Sequence, residues 1–576
     1  MKNGKTPVVH DDLAVVLCGE QGQGIQTVEQ TLTQAVRQAG YHVFSTKEYM
    51  SRIRGGAAST LVRISSKPVA ACVDRIDILV PLHWSAVSRL KRRVTARTRI
   101  LGDRDFLKPD RNIVDVPFTR LAAAAGGKLV ANTVATGTVL GLMGIPIEPF
   151  ERILENRYAA KGPDTVEKNK DAARKGHAEG RALADRGVIR VDLRKDERVL
   201  NFPLMSGGEA VVSGAIAGGC NFLSSYPMSP STSVLVGMAA HARNFGMVVE
   251  QAEDEIAAIN MALGASYAGA RAMVTTSGGG FALMAEGVSL AGMIETPVVI
   301  HLSQRPGPAT GMPTRTEQAD LELALYAGHG EFPRVLFAPG SLRQAFDLTR
   351  RAFDVADRFQ IPVVVLSDQV FMDSLASAEP FEWPTSATEP QIVRTDPGYL
   401  RYRLTPDGVS PRGIPGWGDG LVRVDSDEHT EEGVITEDMD LRERMVDKRN
   451  KKMRRIVREA IRPERIGRRD AKTLVVCWGS NRAVVKETLQ TLGDPSVAAL
   501  HFSQVYPLPP GTAETLRQAR TVVAVENNAT GQLCKLIRRE TGHAIERRIL
   551  KYNGLAFTVE EVAAGIRRHL KRRARA

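Results

Sequence analysis

The chain has 576 residues, too many for one ordinary hydrophobic core, and its 43% hydrophobic and 25% charged residues are typical of a globular α/β protein. We therefore expect three folded units and a long connector. The net charge of +12 would permit partners that carry phosphates or acidic groups. No aromatic platform, zinc-finger spacing or helix-turn-helix pattern accompanies the basic runs, so we predict that the chain does not bind nucleic acid.

Five cysteines are spread along the chain, and none of them belongs to a Cys-x-x-Cys motif. This spacing excludes a ferredoxin-type cluster motif in this chain and is typical of a reducing cytoplasm. The first residues contain no apolar signal segment, and no apolar run reaches transmembrane length. We therefore expect a cytoplasmic protein that neither enters a membrane nor carries its own metal site.

The first expected unit, residues 1–192, begins with a strand, a glycine turn, a helix and a second strand. Apolar periodicity predicts the strands at 13–18 and 41–45, the turn at 19–24 and the helix at 25–39. Such a start looks like a nucleotide-binding turn. Its spacing, Gly-x-x-Gly-x-Gly, departs from the dinucleotide pattern, and no acidic residue ends the second strand, so a dinucleotide site is disfavoured.

A polar helix at 168–186 and a charged strip at 190–198 predict a linker to the second unit, residues 203–375. In this unit four polar loops follow four apolar runs. The loops span residues 224–232, 253–258, 275–280 and 304–318.

The first polar loop follows residues 221–224, which predict the end of a short strand. It contains Tyr226, Pro227 and Ser229. Because open α/β sheets bind ligands at the carboxyl ends of their strands, we predict that Ser229 is an exposed hydrogen-bond donor at such an end.

The second loop leads into a predicted helix at 254–270, which has small residues along one face and carries Glu255 in its first turn. A helix dipole favours carboxylates at this end, so Glu253, Asp254 and Glu255 are also explained as residues that stabilise the helix. These residues alone do not decide between helix stabilisation and a functional role for one of the carboxyl groups.

The third loop follows a predicted buried strand at 272–276. It contains Ser277, Gly278 and Gly279, and a glycine run here would let a ligand approach the backbone before a helix that begins near Phe281.

The fourth loop follows a predicted strand at 297–302 and contains Arg305 and Arg315. A planar guanidinium group is suited to bidentate binding of a carboxylate. Either arginine is equally explained as a surface residue.

Residues 376–470 are rich in Pro, Gly and acidic residues and show little periodicity before a predicted helix at 442–461. We expect a long connector that wraps over a partner or sibling chain rather than folding alone.

The last expected unit, residues 471–576, alternates strands with helices in an α/β pattern. Glu526, Asn527 and Asn528 form a polar cluster after one of these strands. The cluster offers metal ligands, but we predict that it caps the helix near Thr530.

Four motifs in the second unit occur in the order and at the spacing of a known family. They are Tyr-Pro-Met-Ser-Pro-Ser (226–231), Asp-Glu-Ile-Ala (254–257), Thr-Ser-Gly (276–278) and Gly-Met-Pro-Thr-Arg (311–315). They resemble the pyrimidine-binding domain of the α subunit of 2-oxoacid:ferredoxin oxidoreductases, which use thiamine diphosphate and iron-sulfur clusters. The resemblance implies a multidomain α/β fold with a γ-type amino-terminal domain and a transketolase-like carboxy-terminal domain.

The same resemblance implies roles for the residues of the four loops. Glu255 would hydrogen-bond the aminopyrimidine ring, Ser229 would replace a threonine near the substrate, and Arg315 would pair with the substrate carboxylate, with Arg305 as its competitor. The cofactor and substrate contacts would further include Tyr226, Pro227, Ser277, Gly278, Gly279 and Thr314.

The amino-terminal glycine turn and the Arg54-Gly-Gly sequence resemble the γ subunit of the same family, so two family subunits look fused in this chain. The resemblance implies that Gly22, Gly24, Arg52 and Arg54 contact the phosphates of coenzyme A. The alternative is that the Arg54 loop only packs domains together.

The reaction implied is the reversible, coenzyme A-dependent oxidative decarboxylation of 2-oxoglutarate to succinyl-CoA and CO2, with electrons passed to ferredoxin. We favour 2-oxoglutarate because the fusion and the absence of a cluster motif resemble the two-subunit 2-oxoglutarate enzymes. Pyruvate or branched 2-oxoacids, a thiamine enzyme without redox centres, and a non-catalytic scaffold remain alternatives. Arg305, His329 or a lysine of the partner would bind a second carboxylate.

The family pattern places the remaining cofactors on a separate β subunit, which would carry the [4Fe-4S] cluster, Mg²⁺ and the diphosphate site in an (αβ)2 heterotetramer. Gly418-Asp419-Gly420 and Asn450 have the spacing of the diphosphate and magnesium motif of thiamine enzymes. The residues before Gly418 cannot form a buried strand and Asn450 lies among basic residues, so we interpret this match as coincidence.

Overall fold

The computed structural model describes residues 6–20, 24–51, 56–83, 87–88, 90–104, 107, 113–385 and 391–571. The chain divides into two compact units. The first unit comprises Met1–Met205, Ser374–Pro380 and Thr558–Glu560, and the second comprises Ser206–Asp373, Phe381–Phe557 and Glu561–Ala576.

The first unit contains both strands and helices. Its strands before the second unit are β1 (Val8–His10), β2 (Asp12–Glu20), β3 (His42–Tyr49), β4 (Ala57–Ser65), β5 (Ile78–Pro81), β6 (Arg99–Gly102), β7 (Ile113–Asp115), β8 (Arg190–Asp192) and β9 (Leu204–Ser206). Its α-helices are α1 (Ile25–Gln38), α2 (Phe118–Ala124), α3 (Ala131–Leu142), α4 (Glu148–Tyr158) and α5 (Pro163–Asp185). Short 3-10 helices cover Lys128–Val130, Ala159–Lys161 and Glu197–Asn201.

β2 is the central strand of this unit, and its residues 13–19 are all buried, as its apolar run predicts. It pairs in parallel with β5 on one side and antiparallel with β4 on the other, and β4 also pairs antiparallel with β3. The strand after α1 is therefore separated from β2 by β4. This pairing differs from the simple nucleotide-binding unit suggested by the order strand, turn, helix, strand.

The polar helix at 168–186, expected as a linker, belongs to the core of the first unit. Glycines on α3 and α5 let the two helices approach so closely that a Cβ on Gly137 would lie 2.5 Å from the Ala173 carbonyl oxygen. A Cβ on Gly180 would lie 2.7 Å from the Leu142 nitrogen. The small residues of α5 place this helix in the core, although its charged composition predicted a linker.

The second unit begins with a central sheet and its helices. The strands are β10 (Phe222–Ser225), β11 (Val248–Gln251), β12 (Ala272–Thr276), β13 (Val298–Gln304), β14 (Val335–Phe337) and β15 (Pro362–Asp368). The helices are α6 (Gly207–Ala217), α7 (Thr232–Phe245), α8 (Glu255–Tyr267), α9 (Gly278–Leu283), α10 (Ala285–Met293), α11 (Leu321–Tyr326), α12 (Leu342–Phe359) and α13 (Gln369–Asp373).

The rest of the chain adds strands, a long helix and a second α/β layer. The strands are β16 (Leu375–Ser377), which pairs with β3 in the first unit, β17 (Glu464–Ile466), β18 (Thr473–Trp478), β19 (Val497–Phe502), β20 (Gln504–Tyr506), β21 (Thr521–Glu526) and β22 (Arg547–Leu550). The helices are α14 (Met439–Arg458), α15 (Asn481–Leu492), α16 (Thr512–Arg517), α17 (Gln532–Thr541) and α18 (Val559–Lys571).

The central sheet of the second unit has the order β11-β10-β12-β13-β15-β14-β20. Every pair from β11 to β14 is parallel, so the four polar loops leave adjacent strands at the same edge of the sheet. The chain continues from β10 to β11 on one side and to β12 on the other. The boundary between β10 and β12 is thus a topological switch point, where open α/β sheets form a ligand crevice.

The carboxy-terminal layer has its own sheet, in the order β17-β19-β18-β21-β22. β20 leaves this layer and pairs antiparallel with β14, and one continuous apolar core joins both sheets. The multidomain α/β fold expected from the sequence is confirmed.

The connector packs on the second unit itself, and its wrapping over a partner chain stays a prediction. Arg401 donates to the Glu295 carbonyl oxygen at 2.7 Å, and Arg412 donates to the Ser266 carbonyl oxygen at 2.6 Å. The Tyr402 side chain is completely buried. Irregular backbone without periodicity is held by such side-chain contacts, which hydrophobic patterning does not reveal.

No helix among the described residues is long and apolar enough to cross a membrane.

Candidate active site

The candidate site lies at the carboxyl edge of the central sheet, around the switch point. The Ser225 hydroxyl, at the end of β10, donates to the Thr275 carbonyl oxygen of β12 at 2.7 Å. The neighbouring Ser224 hydroxyl donates to the Ala258 carbonyl oxygen of α8 at 2.6 Å. These buried bonds fix the first and second polar loops relative to the third.

Three consecutive acidic residues at the start of α8 have different environments. Glu253 is exposed, whereas Asp254 is half-buried and accepts a hydrogen bond from the Ala257 nitrogen at 2.7 Å, which makes it the N-cap of the helix. Glu255 is only 3% exposed. Helix stabilisation therefore explains Asp254, and it leaves the buried position of Glu255 to be explained by another role.

The carboxyl group of Glu255 is buried in a way that favours its protonated form. Burial raises its pKa, and the neighbouring charge of Asp254 raises it further, although the Glu255 backbone N–H lowers it. Its Oε1 has no hydrogen-bond partner among the described residues. A buried polar atom without a partner is unfavourable, so this oxygen fits a ligand that brings a hydrogen-bond partner.

The third loop contains the glycine run, which begins α9 at Gly278 rather than preceding a helix near Phe281. A Cβ on Gly280 would lie 2.5 Å from Glu255 Oε1, whereas the nearest atom to a Cβ on Gly279 is 3.9 Å away. Gly280 thus makes room for a protein carboxyl group, and Gly279 leaves open space. The Ser277 hydroxyl oxygen is buried and has no described hydrogen-bond partner.

The structure brings Ser229 and Arg305 together. Arg305, at the end of β13, donates from Nη1 to the Ser229 carbonyl oxygen at 2.6 Å, while Ser229 itself is exposed as predicted. Tyr226 is 40% exposed and Pro227 is half-buried in the same loop. The first and fourth polar loops therefore meet at the edge of the crevice.

Arg315 lies in a different part of the fourth loop. Its backbone nitrogen donates to the Met312 carbonyl oxygen at 3.0 Å, and its side-chain stem is against Gly554, where an added Cβ would lie 3.2 Å from Arg315 Cβ. Thr314 is half-buried beside it. His329, a candidate for binding a second carboxylate, is exposed after α11.

Asp320 is a residue whose position the motif analysis did not anticipate. A Cβ on Gly278 would lie 2.7 Å from Asp320 Oδ1, and Asp320 Oδ2 is buried without a described hydrogen-bond partner. It lies five residues after Arg315, and nothing in the motif pattern distinguishes it from an ordinary loop acid.

Comparison with known proteins gives two family models that match this chain. A family model described as pyruvate flavodoxin/ferredoxin oxidoreductase, thiamine diP-bdg, matches residues 213–448. A second, described as pyruvate ferredoxin/flavodoxin oxidoreductase, matches residues 14–179. The α subunit of a 2-oxoacid:ferredoxin oxidoreductase from Sulfolobus sp is 31% identical, with 97% of both chains covered.

The chain belongs to the 2-oxoacid:ferredoxin oxidoreductase α-subunit family. The resemblance drawn from the four motifs is thus confirmed, and the chain is a subunit of an enzyme. The 2-oxoglutarate synthase subunit KorA of Archaeoglobus fulgidus is 35% identical over 59% of this chain and 92% of its own. A solved 2-oxoglutarate:ferredoxin oxidoreductase from Magnetococcus marinus, with 2-oxoglutarate, coenzyme A and succinyl-CoA bound, is 30% identical with a TM-score of 0.91 and covers 97% of this chain and 100% of that one.

In this α subunit a hydrogen-bond network attaches the fourth loop to the carboxy-terminal layer. Gln318 donates from Nε2 to the Trp478 carbonyl oxygen at 3.2 Å, and its Oε1 accepts from Asn481 Nδ2 at 2.7 Å. Its backbone nitrogen donates to the Asn527 carbonyl oxygen at 2.7 Å. The network fixes the segment between Arg315 and Asp320.

The polar cluster after β21 in the α subunit is a helix cap, as predicted. Asn528 Oδ1 accepts from the Gly531 nitrogen at 2.7 Å, and buried Glu526 accepts from the Leu533 and Cys534 nitrogens. Because these oxygens are occupied by donors at the start of α17, they are not available as metal ligands. No group of three or more candidate metal ligands occurs in the part of the chain that the structure describes.

Gly418, Asp419 and Gly420 of the α subunit are in irregular backbone, and Asn450 is on α14. Gly418 makes only an isolated bridge with Thr395. The motif therefore lacks the buried strand that a diphosphate and magnesium site requires.

The first unit of this α subunit contains a cavity of about 280 Å³ between the ends of β2 and β3 and the starts of α1 and β4. Gly24 lines it with a positive φ of 75°, and a Cβ there would lie 2.7 Å from Asn132 Nδ2. Lys47 also lines the cavity, 3.6 Å from buried Glu29. Gly22, Arg52 and Arg54 lie outside the described residues.

Proposed function

We propose that this α subunit, together with a β subunit, catalyses the coenzyme A-dependent oxidative decarboxylation of 2-oxoglutarate to succinyl-CoA and CO2, and that the electrons pass to ferredoxin. The family membership supports the reaction class. The substrate is supported by the relatives from Archaeoglobus fulgidus and Magnetococcus marinus, whose names specify 2-oxoglutarate.

The observation that carries this proposal is the buried carboxyl group of Glu255, whose Oε1 has no described partner although it lies at the ligand edge of the sheet. A ring nitrogen of the aminopyrimidine of thiamine diphosphate would accept a hydrogen bond from the protonated Glu255 carboxyl group, or donate one to its carboxylate once the nitrogen holds the proton, and would thus give this oxygen the partner that it lacks. The raised pKa of Glu255 also fits a carboxyl group that shares a proton with a ring nitrogen. The residues of this chain therefore fit the cofactor.

Thiamine diphosphate, when bound, supplies a thiazolium carbon that attacks the keto carbon and accepts the electrons released by loss of CO2. Glu255 would hold a proton at the pyrimidine ring. The Ser277 hydroxyl and the open space over Gly279 would receive the ring, and Tyr226 and Pro227 would form the wall on the β10 side. Gly278 would keep the start of α9 close to the ring.

Substrate binding is assigned to the meeting of the first and fourth loops. The Ser229 hydroxyl would donate to the substrate, and Arg305 would pair with its C1 carboxylate, because Arg305 is the arginine that reaches the Ser229 loop. Arg315 and Thr314 remain candidates for a contact further along the fourth loop.

Coenzyme A binding is assigned to the first unit, with Gly24 at the wall of the 280 Å³ cavity and Gly22, Arg52 and Arg54 as candidates from the sequence. The β subunit would supply Mg²⁺, the diphosphate site and a [4Fe-4S] cluster. We expect an (αβ)2 assembly in the cytoplasm.

The test is to co-express the chain with the product of its neighbouring gene and to measure coenzyme A-dependent reduction of a viologen dye. The assays would use 2-oxoglutarate, pyruvate and a branched 2-oxoacid, each with and without thiamine diphosphate. We expect reduction with 2-oxoglutarate only when both chains and the cofactor are present. Preference for pyruvate would replace the substrate, and thiamine diphosphate binding without dye reduction would favour a non-redox thiamine enzyme.

A further inference from the structure

Asp320 is a half-buried acid that lies against the glycine turn at the start of α9 (residues 278–280), at a different glycine from Glu255. Glu255 contacts the turn at Gly280, and Asp320 contacts it at Gly278, where an added Cβ would lie 2.7 Å from both Asp320 Oδ1 and Cγ. A side chain at Gly278 would displace this carboxyl group. The turn therefore has space for two protein carboxyl groups, and the proposed function uses only one.

The Asp320 carboxyl group does not have the contacts of a structural residue. Asp320 is the residue before α11, but its side chain makes no capping hydrogen bond to that helix. Its backbone nitrogen, not its carboxyl group, donates to Gln304 Oε1 at 3.0 Å. Oδ2 is buried, and no hydrogen bond or ion pair satisfies it within the described chain.

The charges that face Asp320 come from the fourth loop and the end of β13. Burial raises the pKa of Asp320 to about 6, Glu317 contributes in the same direction, and the positive charge of Arg305 opposes both. Asp320 in turn acts against the burial that lowers the pKa of Arg305. The segment of α9 in contact with Asp320 consists of glycines and brings no charge.

Arg305 and Asp320 therefore interact electrostatically without forming an ion pair. Arg305 uses Nη1 for the Ser229 carbonyl oxygen, and its other N–H groups point to no described acceptor. Asp320 lies beside the same strand end, because its backbone nitrogen donates to the side chain of Gln304, the neighbour of Arg305, and an anion bound by these N–H groups would therefore be near its carboxyl group. An ionised Asp320 would repel a carboxylate in this position, whereas a protonated Asp320 would donate a hydrogen bond to it.

We propose that Asp320 is a substrate-binding residue that takes up one proton when the 2-oxoacid binds and donates it in a hydrogen bond to the C1 carboxylate held by Arg305. This inference rests on the proposed function, because it requires a 2-oxoacid at Arg305. The proton comes from solvent on binding and returns to solvent when the carboxylate leaves as CO2.

The pH dependence follows from the protonation of free Asp320. Above its pKa the protonated fraction falls about tenfold for each pH unit. Only the protonated form binds substrate well, so KM rises with pH above about 6, until the pKa of the substrate-bound form is reached. The turnover number at saturating substrate changes much less, since bound Asp320 stays protonated.

The first experiment measures KM and kcat of the αβ complex with 2-oxoglutarate from about pH 6 to pH 8. For the unmodified complex we expect KM to rise by about 50-fold across this range, about fivefold from pH 6 to pH 7 and about ninefold from pH 7 to pH 8. Asp320→Asn keeps a donor but has no charge to titrate, so its KM stays flat and falls below that of the unmodified complex at the alkaline end. Asp320→Ala lacks the donor and has a high KM at every pH.

A matched control is Glu322→Gln, which changes an acid just after Asp320 in the chain. The Glu322 carboxyl group already has a protein partner, because it forms a partly exposed ion pair with Lys535 at 3.1 Å. This variant is expected to keep the pH dependence of the unmodified complex. A KM that rises equally with pH in Asp320→Asn would overturn the proposal.

The second experiment counts protons directly and does not depend on turnover. 2-Hydroxyglutarate has the same C1 carboxylate but cannot lose CO2, and its binding is followed by calorimetry in buffers of different ionisation enthalpy. We expect uptake of nearly one proton per ligand at neutral pH in the unmodified complex and none in Asp320→Asn. Binding of the ligand without proton uptake by the unmodified complex refutes the role of Asp320, even where the variant does not fold.

The two proposals fail in distinguishable ways. A complex that fails to reduce the dye with any of the three 2-oxoacids refutes the proposed function. A complex that turns over 2-oxoglutarate with a KM that is independent of pH refutes the role of Asp320 and leaves the proposed function intact.

Discussion

A Cβ on Gly280 would lie 2.5 Å from Oε1 of Glu255, so a side chain at residue 280 and the Glu255 carboxyl group cannot both occupy these positions. This distance is shorter than carbon and oxygen atoms tolerate without bonding. The first turns of α8 and α9 therefore pack closely against each other. The position of the Glu255 carboxyl group depends on the absence of a side chain at Gly280.

Gly280→Ala is expected to displace the Glu255 carboxyl group and to impair cofactor binding. The methyl group would also meet Thr276 Oγ1, so relaxation in that direction is blocked. We expect at least a tenfold higher thiamine diphosphate concentration for half-maximal activity, measured by reconstituting the complex with the cofactor.

Gly279→Ala is the matched control for the stability of this helix. The nearest atom to its added Cβ is 3.9 Å away, so it introduces no clash within the chain. Alanine favours a helix over glycine by about 1 kcal/mol, so Gly279→Ala should unfold at the same or higher temperature and Gly280→Ala at a lower one. Equal unfolding temperatures would contradict the packing argument.

Glu255→Gln is expected to abolish acyl-CoA formation while the chain keeps its fold and its assembly with the β subunit. Glutamine keeps the shape but cannot share a proton with a ring nitrogen, and loss of such a group typically reduces turnover by about 10² to 10⁴-fold. Dye reduction and circular dichroism measure the two properties. Near-normal turnover would remove Glu255 from the cofactor site.

Asp254→Ala tests the adjacent carboxyl group, which caps α8 by its bond to the Ala257 nitrogen. Loss of an N-cap of this kind costs about 1 kcal/mol of stability. We expect a lower unfolding temperature with the cofactor requirement unchanged. The two neighbouring acids would then be separated by experiment as they are by burial.

The sequence predicted three strands of the central sheet, because β10, β12 and β13 are short apolar runs that end in polar loops. The sequence placed Ser229, Glu255, Ser277 and one arginine in one site only through the resemblance to the family. It could not separate Glu253, Asp254 and Glu255, because the direction of each side chain depends on where α8 begins.

Two other features could not be predicted from sequence patterns. The connector has no periodicity, and its attachment to the second unit depends on individual contacts such as that of Arg401 with the Glu295 carbonyl oxygen. Asp320 differs from an ordinary loop acid only by its position against Gly278, which requires the packing of two separate loops.

Arg305→Lys and Arg315→Lys distinguish the two candidates for carboxylate binding. Lysine keeps the charge but lacks the planar fork of donors, so the variant at the true site should show a higher KM for the 2-oxoacid with its KM for coenzyme A unchanged. The contact of Arg305 with the Ser229 carbonyl oxygen predicts that Arg305→Lys has this effect. If only Arg315→Lys raises KM, the carboxylate lies nearer to Gly554.

Ser229→Ala removes the hydroxyl predicted to reach the same substrate. Loss of one hydrogen bond would lower kcat/KM by an amount equivalent to about 1 to 3 kcal/mol. Because Arg305 contacts the carbonyl oxygen of Ser229 and not its side chain, the arginine should stay in place. An unchanged specificity constant would exclude the hydroxyl from substrate binding.

Glu295 provides a prediction about stability at low pH. It forms ion pairs with Lys448 and Lys452 of α14, and all three side chains are almost fully buried. Burial alone would raise the pKa of Glu295, but Lys448, Lys452 and Arg401 outweigh it and hold the pKa well below the usual range. The carboxylate therefore stabilises the folded chain above the pKa of an unfolded glutamate, and this stabilisation is lost as pH falls.

Glu295→Gln would leave two buried ammonium groups without their anion, and breaking such a buried pair costs about 3 to 5 kcal/mol. We expect a large fall in unfolding temperature at neutral pH, with little further loss below about pH 4, where the unmodified chain begins to lose this contribution. Asp347→Asn is the control, since its ion pair with Arg343 is exposed and worth about 0 to 1 kcal/mol. Equal effects of the two substitutions would show that the cluster does not hold α14 on the second unit.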